Sequence, residues 1–212
     1  MAVTRQFAAD SATVDHLLDH RGAGELVTAT ASGVQATFLP FVHHRGVAGR
    51  PRRLAAHVAR NNAQWQLPVV GDALFIVSGP DAYVSPSWYA AKAEHGRVVP
   101  TWNYVTVYLY GKLVIHGDVG WLERHVRELT GRFESDAMVP WSVDDAPAGY
   151  VAGLLKAIVG VELVVSRIEA KAKLSQNRSD ADVSGVIAGL ERASRHEVVR
   201  AMREFRGQPR TG

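Results

Sequence analysis

Val99-Pro100-Thr101-Trp102-Asn103-Tyr104-Val105-Thr106-Val107-Tyr108-Leu109-Tyr110 sets the fold class of this chain. From Val105 onward every residue is β-branched, aromatic or leucine, the composition of a strand. The strand this predicts, over 98–116, is the longest in the chain, with Gly111 as the place where it could break. Seven of the 17 aromatic residues fall between Gly79 and Tyr110, namely Tyr83, Trp88, Tyr89, Trp102, Tyr104, Tyr108 and Tyr110. Pro86 and Pro100 stiffen the segments beside this strand, because proline fixes φ and removes an N–H. Rings held this way either pack into a core or stack on a flat ligand.

Working outward, Ser11 is placed to cap a helix through Val14, Leu17 and Leu18, ended by Gly22 and Gly24. Strands are predicted over 25–30 and 34–42 around the turn Ala31-Ser32-Gly33, and over 53–58, leading into a short helix at 59–64. Another is predicted over 72–78, stopped by Gly79-Pro80. Helical spacing covers 121–133 and 147–158, a β-rich run covers 159–170, and a single amphipathic helix covers 180–205. Antiparallel strands with helices between and after them predict an α+β fold around a barrel. The expected division is a barrel domain over 1–178 and a C-terminal helical extension over 179–212, packed on the barrel or on a partner copy.

The chain has 212 residues, 47% of them hydrophobic and 21% charged, which suits a folded domain with a substantial core. It has no cysteine, which fits a reducing cytosol. Met1-Ala2-Val3-Thr4-Arg5-Gln6 lacks the apolar run of a signal peptide, and no apolar stretch is long enough to span a membrane. The expectation is a cytoplasmic protein with no membrane contact.

The net charge of +3 is small for a dedicated nucleic-acid binder. No helix-turn-helix signature appears, so DNA is a possible partner without a recognisable binding motif. The arginines of the last helix alternate with Glu191, Glu197 and Glu204, as on a solvated face. No carboxylate occurs between Glu25 and Asp72, whereas Arg45, Arg50, Arg52, Arg53 and Arg60 do. That points to a positive region, either a phosphate site or an exposed basic loop. His57 and Arg60 flank the expected helix start at 59, where free N–H groups favour an anion. Lys171, Lys173 and Arg178 bracket Ser175-Gln176-Asn177, whose amides and hydroxyl suit a pyrimidine-like ring edge, a phosphate, or simply a polar loop. His16 and His20 share a helix face, but no acidic ligand or HExxH accompanies them. No nucleophile elbow, P-loop or GxGxxG is present.

Tyr83-Val84-Ser85-Pro86-Ser87-Trp88-Tyr89 and Val99-Pro100-Thr101-Trp102-Asn103-Tyr104 resemble the two signature segments of the FMN-binding negative transcriptional regulators, the PaiB-like family. Two further segments resemble the family in the same order, His57-Val58-Ala59-Arg60-Asn61-Asn62-Ala63-Gln64-Trp65 and Lys171-Ala172-Lys173-Leu174-Ser175-Gln176-Asn177-Arg178. The likeness runs from about Phe7 to Leu190. It departs at Asn62-Ala63, where the family commonly has a small residue and proline, and at Phe38, where many members have histidine.

The resemblance implies a split β-barrel of the pyridoxamine-phosphate-oxidase type that binds FMN, usually as a homodimer. It implies cofactor-binding roles for Thr37, His57, Arg60, Asn61, Ser85, Trp88, Tyr89, Trp102, Asn103, Lys173, Ser175, Gln176 and Asn177, with the 171–178 loop completing the site, within one chain or across a dimer interface. It also implies a negative regulator of transcription, linked in bacteria to protease production and sporulation. The alternative is a flavin-dependent oxidoreductase on the same barrel, or a flavin carrier. Flavin performs the redox chemistry itself, so the residues separate these readings poorly.

Overall fold

In the computed structural model, β5 (Thr101–His116) runs unbroken through Gly111. A Cβ at Gly111 would lie 2.0 Å from the carbonyl oxygen of Val164, so the glycine admits the close passage of β6 (Ile158–Lys173). Along β5 the alternating buried positions are Asn103, Val105, Val107, Leu109 and Gly111, and Thr106 on the other face is buried as well. Trp102, Tyr104, Tyr108 and Tyr110 therefore share the opposite, outward face. The structure describes residues 7–207. The leading Met1–Gln6 segment, read as lacking a signal peptide's apolar run, lies outside them, as do residues 208–212 of the C-terminal extension.

The remaining strands are β1 (Ala23–Thr30), β2 (Gly33–His44), β3 (Arg53–Ala59) and β4 (Ala73–Val84). With β5 and β6 they close a barrel in the order β1-β2-β3-β6-β5-β4. The pairings of β1 with β2 and β4, and of β3 with β2 and β6, are antiparallel. Helices α1 (Ser11–Arg21), α2 (Ala91–Glu94), α3 (Val119–Glu134), α4 (Ala148–Lys156), α5 (Asp180–Arg192) and α6 (His196–Gly207) complete the α+β fold. No helix among the described residues is long and apolar enough to cross a membrane.

Three of the expected element boundaries differ in the structure. Gly79-Pro80 does not stop β4. Burial alternates through Ala73, Phe75, Val77 and Gly79, then resumes at Ala82 and Val84, one residue out of phase. The strand absorbs the proline as an irregularity that turns Asp81 and Tyr83 outward. No helix forms at 59–64: β3 runs to Ala59, and Asn62 Oδ1 accepts the Gln64 N–H at 2.8 Å to cap a single 3-10 turn, Ala63–Trp65. The terminal helix is two helices. Arg195 N–H donates to Leu190 O, and Ser194 takes a φ of 56°, closing α5 and redirecting the chain into α6.

The chain divides into two compact units. One comprises Asp15–Val77 and Tyr108–Ile168, with a core that includes Leu18, Leu26, Leu54, Leu122, Leu163 and an edge-on Phe41–Phe75 pair at 5.3 Å. Within it Arg132 of α3 donates to Leu18 O and Asp19 O at 2.8 and 2.7 Å, binding the carbonyl end of α1. The other comprises Ser78–Val107, Glu169 onward and the residues up to Val14. Its core includes Val84, Tyr89, Val105, Val183, Val186, Leu190, Val198 and Met202. Asp10 rather than Ser11 accepts the Thr13 N–H, at 2.8 Å, at the start of α1.

Candidate functional site

Within the second unit the most exposed of the Phe, Tyr and Trp residues is Trp102, at 49%. Two neighbours hold it in place. Trp102 Nε1–H donates to Asp81 Oδ1 at 2.9 Å, and the Tyr83 ring meets the indole edge-on at 6.1 Å. The shifted phase of β4 is what puts both neighbours on the outward side. On the same strand Thr101 accepts a hydrogen bond from Lys173 Nζ, and Lys171 Nζ lies 5.5 Å from the Tyr104 ring centroid. A clamped aromatic face with two ammonium groups nearby can take a planar ring and an anion.

Other candidates in this unit spend their polar groups inside it. Asn103 is fully buried, donating Nδ2–H to Ser175 Oγ at 3.0 Å while Ser175 Oγ lies 3.1 Å from Asn103 Oδ1. Ser175 holds a φ of 64°, which a non-glycine residue adopts only when its surroundings enforce it. Gln176 folds back on its own loop, accepting from Leu174 N at 2.7 Å and donating to Ala172 O at 2.5 Å. Asn177 is exposed. Ser85 caps the 3-10 turn Pro86–Trp88, accepting from Ser87 N at 3.2 Å.

Trp88 lies against α5, where a Cβ on Gly189 would fall 2.3 Å from the indole and one on Gly185 2.0 Å from the Trp88 carbonyl oxygen. Tyr89 is buried with the Arg178 guanidinium 4.7 Å over its ring. Burial raises its phenol pKa, and Arg178 opposes the rise.

The first unit holds Thr37, His57, Arg60 and Asn61. Thr37 Oγ1–H donates to Gln64 Oε1 at 2.6 Å and accepts from Asn62 Nδ2 at 3.1 Å. Buried Gln64 in turn donates to Leu26 O and to Thr28 Oγ1, both at 3.1 Å. Arg60 clips the ends of other elements, donating to Lys156 O at 2.6 Å and Ile158 O at 2.9 Å. His57 faces His125 of α3 at 3.1 Å. Asn61 is exposed.

The positive region read between Glu25 and Asp72 is largely neutralised by carboxylates from distant stretches. Arg45 pairs with Asp19, Arg52 with Asp15, and Arg53 with Glu162 at 3.5 Å. Asp81, Gly185, Gly189 and His125 were not singled out from the sequence, and Tyr83 and Lys171 were named there without the contacts they make here. A glycine pair four apart inside a helix, as at 185 and 189, is the signal that could have marked the Trp88 contact. Among the described residues, no group of three or more His, Asp or Glu is arranged to hold a metal ion.

A family model described as "Putative FMN-binding domain" matches residues 1–167, so Lys171–Arg178 lie beyond the matched span. The chain is 32% identical over 170 residues to the protease synthase and sporulation protein PAI 2 of Bacillus subtilis, covering 79% of this chain and 78% of that protein. It is 36% identical over 149 residues to an uncharacterized protein of Emericella nidulans, covering 65% of this chain and 59% of that one. A similar relative from Aspergillus fumigatus is 35% identical over 160 residues, with 66% of this chain and 61% of its own length covered. The match thus spans less than two thirds of either fungal protein.

Among solved structures, a flavocytochrome of Azotobacter vinelandii superposes with a TM-score of 0.55 at 18% identity, covering 80% of this chain and 72% of that one. A conserved protein of Mycobacterium tuberculosis superposes with a TM-score of 0.57 at 12% identity, covering 84% and 94% respectively. At such identities the likeness is one of fold, the split barrel.

Proposed function

This chain belongs to the FMN-binding domain family, and from that premise we propose that it is a cytoplasmic, homodimeric FMN-binding regulator that represses transcription. The observation that carries the flavin assignment is the half-exposed Trp102 indole, fixed by Asp81 and Tyr83, on a strand whose Thr101 and Tyr104 meet Lys173 and Lys171. These residues fit the group. Trp102 would hold the isoalloxazine by stacking, and the ammonium groups of Lys171 and Lys173 would hold the phosphate. Bound flavin would supply reversible one- and two-electron redox chemistry. The buried Asn103–Ser175 pair and the Gln176 fold-back hold the 171–178 loop in shape beneath this face, so their role is positioning.

The dimer reading rests on a different surface. The outward residues of β2 are Val34, Ala36, Phe38 and Pro40, with Val34 70% and Phe38 67% exposed. Across the ladder stand Ala29, Val27, Glu25 and Ala23 of β1, then Leu74 and Ile76 of β4. The water-facing side of an antiparallel sheet is ordinarily polar, yet Glu25 is the one charged residue here. A second copy presenting the same face would cover it, with Glu25 the one charged residue brought in from each side.

Titration with FMN, followed by flavin fluorescence, tests the reading. Saturable binding of one FMN per chain, tighter than riboflavin, is expected. Absence of flavin binding would end it, and equal affinities would remove the phosphate contact.

A further inference from the structure

Helix α3 is fastened to β3 by two histidines. His57 Nδ1 and His125 Nε2 stand 3.1 Å apart, their rings edge-on at 71° with centroids 5.3 Å apart. One hydrogen between those nitrogens makes a hydrogen bond, whereas full protonation of both rings puts a hydrogen on each and sets two cations face to face. His125 is 3% exposed, and its Nδ1 is buried with no hydrogen-bond partner. The pair therefore has little water to spread a positive charge into.

The surroundings supply no negative charge to it. Among the described residues, no salt bridge reaches His57 or His125. His44 of β2 sits 3.6 Å from Glu128 of α3. His116 of β5 stacks on Trp121 of α3 at 4.1 Å and 6°, and Trp121 stacks in turn on His125 at 5.1 Å and 21°. Glu162 of β6 is engaged by Arg53 of β3 at 3.5 Å and lies 4.0 Å from His116 Nε2. Farther along α3, Arg127 is matched by Glu123 and Asp144, and Arg132 by backbone carbonyls. The seam is also shape-tight, since a Cβ on Gly160 of β6 would fall 2.2 Å from the Trp121 ring.

We propose that the His57–His125 contact is an acid-sensitive latch, which holds α3 on β3 while the pair carries no second proton and lets α3 go when mildly acidic conditions load both rings. Burial, then the neighbouring His57, His44 and His116, push His125 down to about 4, and burial lowers His57 as well. Folded values below the ordinary ~6.5 mean that the released state binds more protons. The latch is at full strength above about pH 6.5 and weakens as pH falls toward 4. Release at this point would also free the far end of α3, where Arg132 binds the carbonyls of Leu18, Asp19 and Phe41. The latch stands independently of the flavin reading.

Hydrogen exchange of the full chain at pH 7 and pH 5, corrected for the intrinsic exchange rate, tests it. Amides of α3 should lose roughly tenfold or more of their protection at pH 5, as the linkage requires, while β1 and β5 keep theirs. His125→Gln can still hydrogen-bond His57 but takes no proton, so it should lose most of this pH response. The wild-type ring titrations, read from histidine C2–H resonances, need no variant and should place His125 well below 6.5. Unchanged α3 protection at pH 5, a His125 midpoint near 6.5, or a full pH response in His125→Gln would each overturn the latch.

Discussion

The indole of Trp88 occupies the space that a side chain on Gly189 would need, with only 2.3 Å between the ring and an ideal Cβ. Glycine inside a helix costs about 1 kcal/mol relative to alanine, so it survives here because α5 must approach the 85–89 segment closely. Gly185, one turn earlier, makes room for the Trp88 carbonyl in the same way. Trp88 and Tyr89 are therefore docking residues for α5 in this unit, held by packing instead of presented to solvent.

Gly189→Ala should lower stability by about 1–3 kcal/mol, because a methyl group there overpacks a rigid ring despite the gain in helix propensity. The check is the thermal midpoint. Trp88→Ala combined with Gly189→Ala should cost less than the sum of the two, since Trp88→Ala removes the ring that the Gly189→Ala methyl collides with.

Ser175→Ala should cost about 1–3 kcal/mol by leaving the fully buried Asn103 amide short of its partner. Ser175→Gly loses the same hydrogen bond but relaxes the positive φ, so it should be the milder change in urea denaturation.

Arg52 Nη1–H donates to His43 Nε2 at 2.7 Å, and His43 Nδ1 lies 2.7 Å from Asp19 Oδ1. An Nε2 that accepts a hydrogen bond carries no proton, so His43 should be the neutral Nδ1–H tautomer at pH 6, as nitrogen shifts can show. Burial is the main reason its pKa is lowered, with the Arg52 charge adding to it and Asp19 and Asp15 opposing. Being lowered, it contributes stability that is complete above about pH 6.5 and lost as pH falls. Arg52→Met removes the cation while leaving Asp19 and Asp15, so the His43 midpoint should rise.

How much of this was legible in the residues depends on range. The strand at 98–116 announced itself through Val105 to Tyr110, and α3 through Leu122, Val126 and Leu129, because period and composition are local. Gly79-Pro80 was misread as a stop because an irregular strand and a strand end share the same local signal. The split between α5 and α6 hung on Ser194, whose left-handed conformation no propensity favours. Arg45, Arg52 and Arg53 read as part of a phosphate site or an exposed basic loop because their partners Asp19, Asp15 and Glu162 lie far away in sequence. Trp102 was legible as a candidate, but Asp81 and Tyr83, which fix it, depend on the phase of β4.

Phe38→Glu places a carboxylate in the middle of the apolar outer face of β1, β2 and β4. In a symmetric dimer the change appears twice, and burying both charges costs several kcal/mol. Light scattering should show the wild type as a dimer and the variant as a folded monomer. A wild-type monomer, or a variant that stays dimeric, would remove this face from consideration.

The most direct measurement is the affinity of Trp102→Leu for FMN beside that of the wild type, with circular dichroism confirming that both are folded. Stacking on an aromatic side chain is worth about 1–3 kcal/mol, so the variant should bind roughly 5- to 150-fold more weakly. Lys173→Met should weaken FMN more than riboflavin, since it removes charge opposite the phosphate and leaves the ring contact. FMN bound by Trp102→Leu with wild-type affinity would contradict the placement of the flavin on this face.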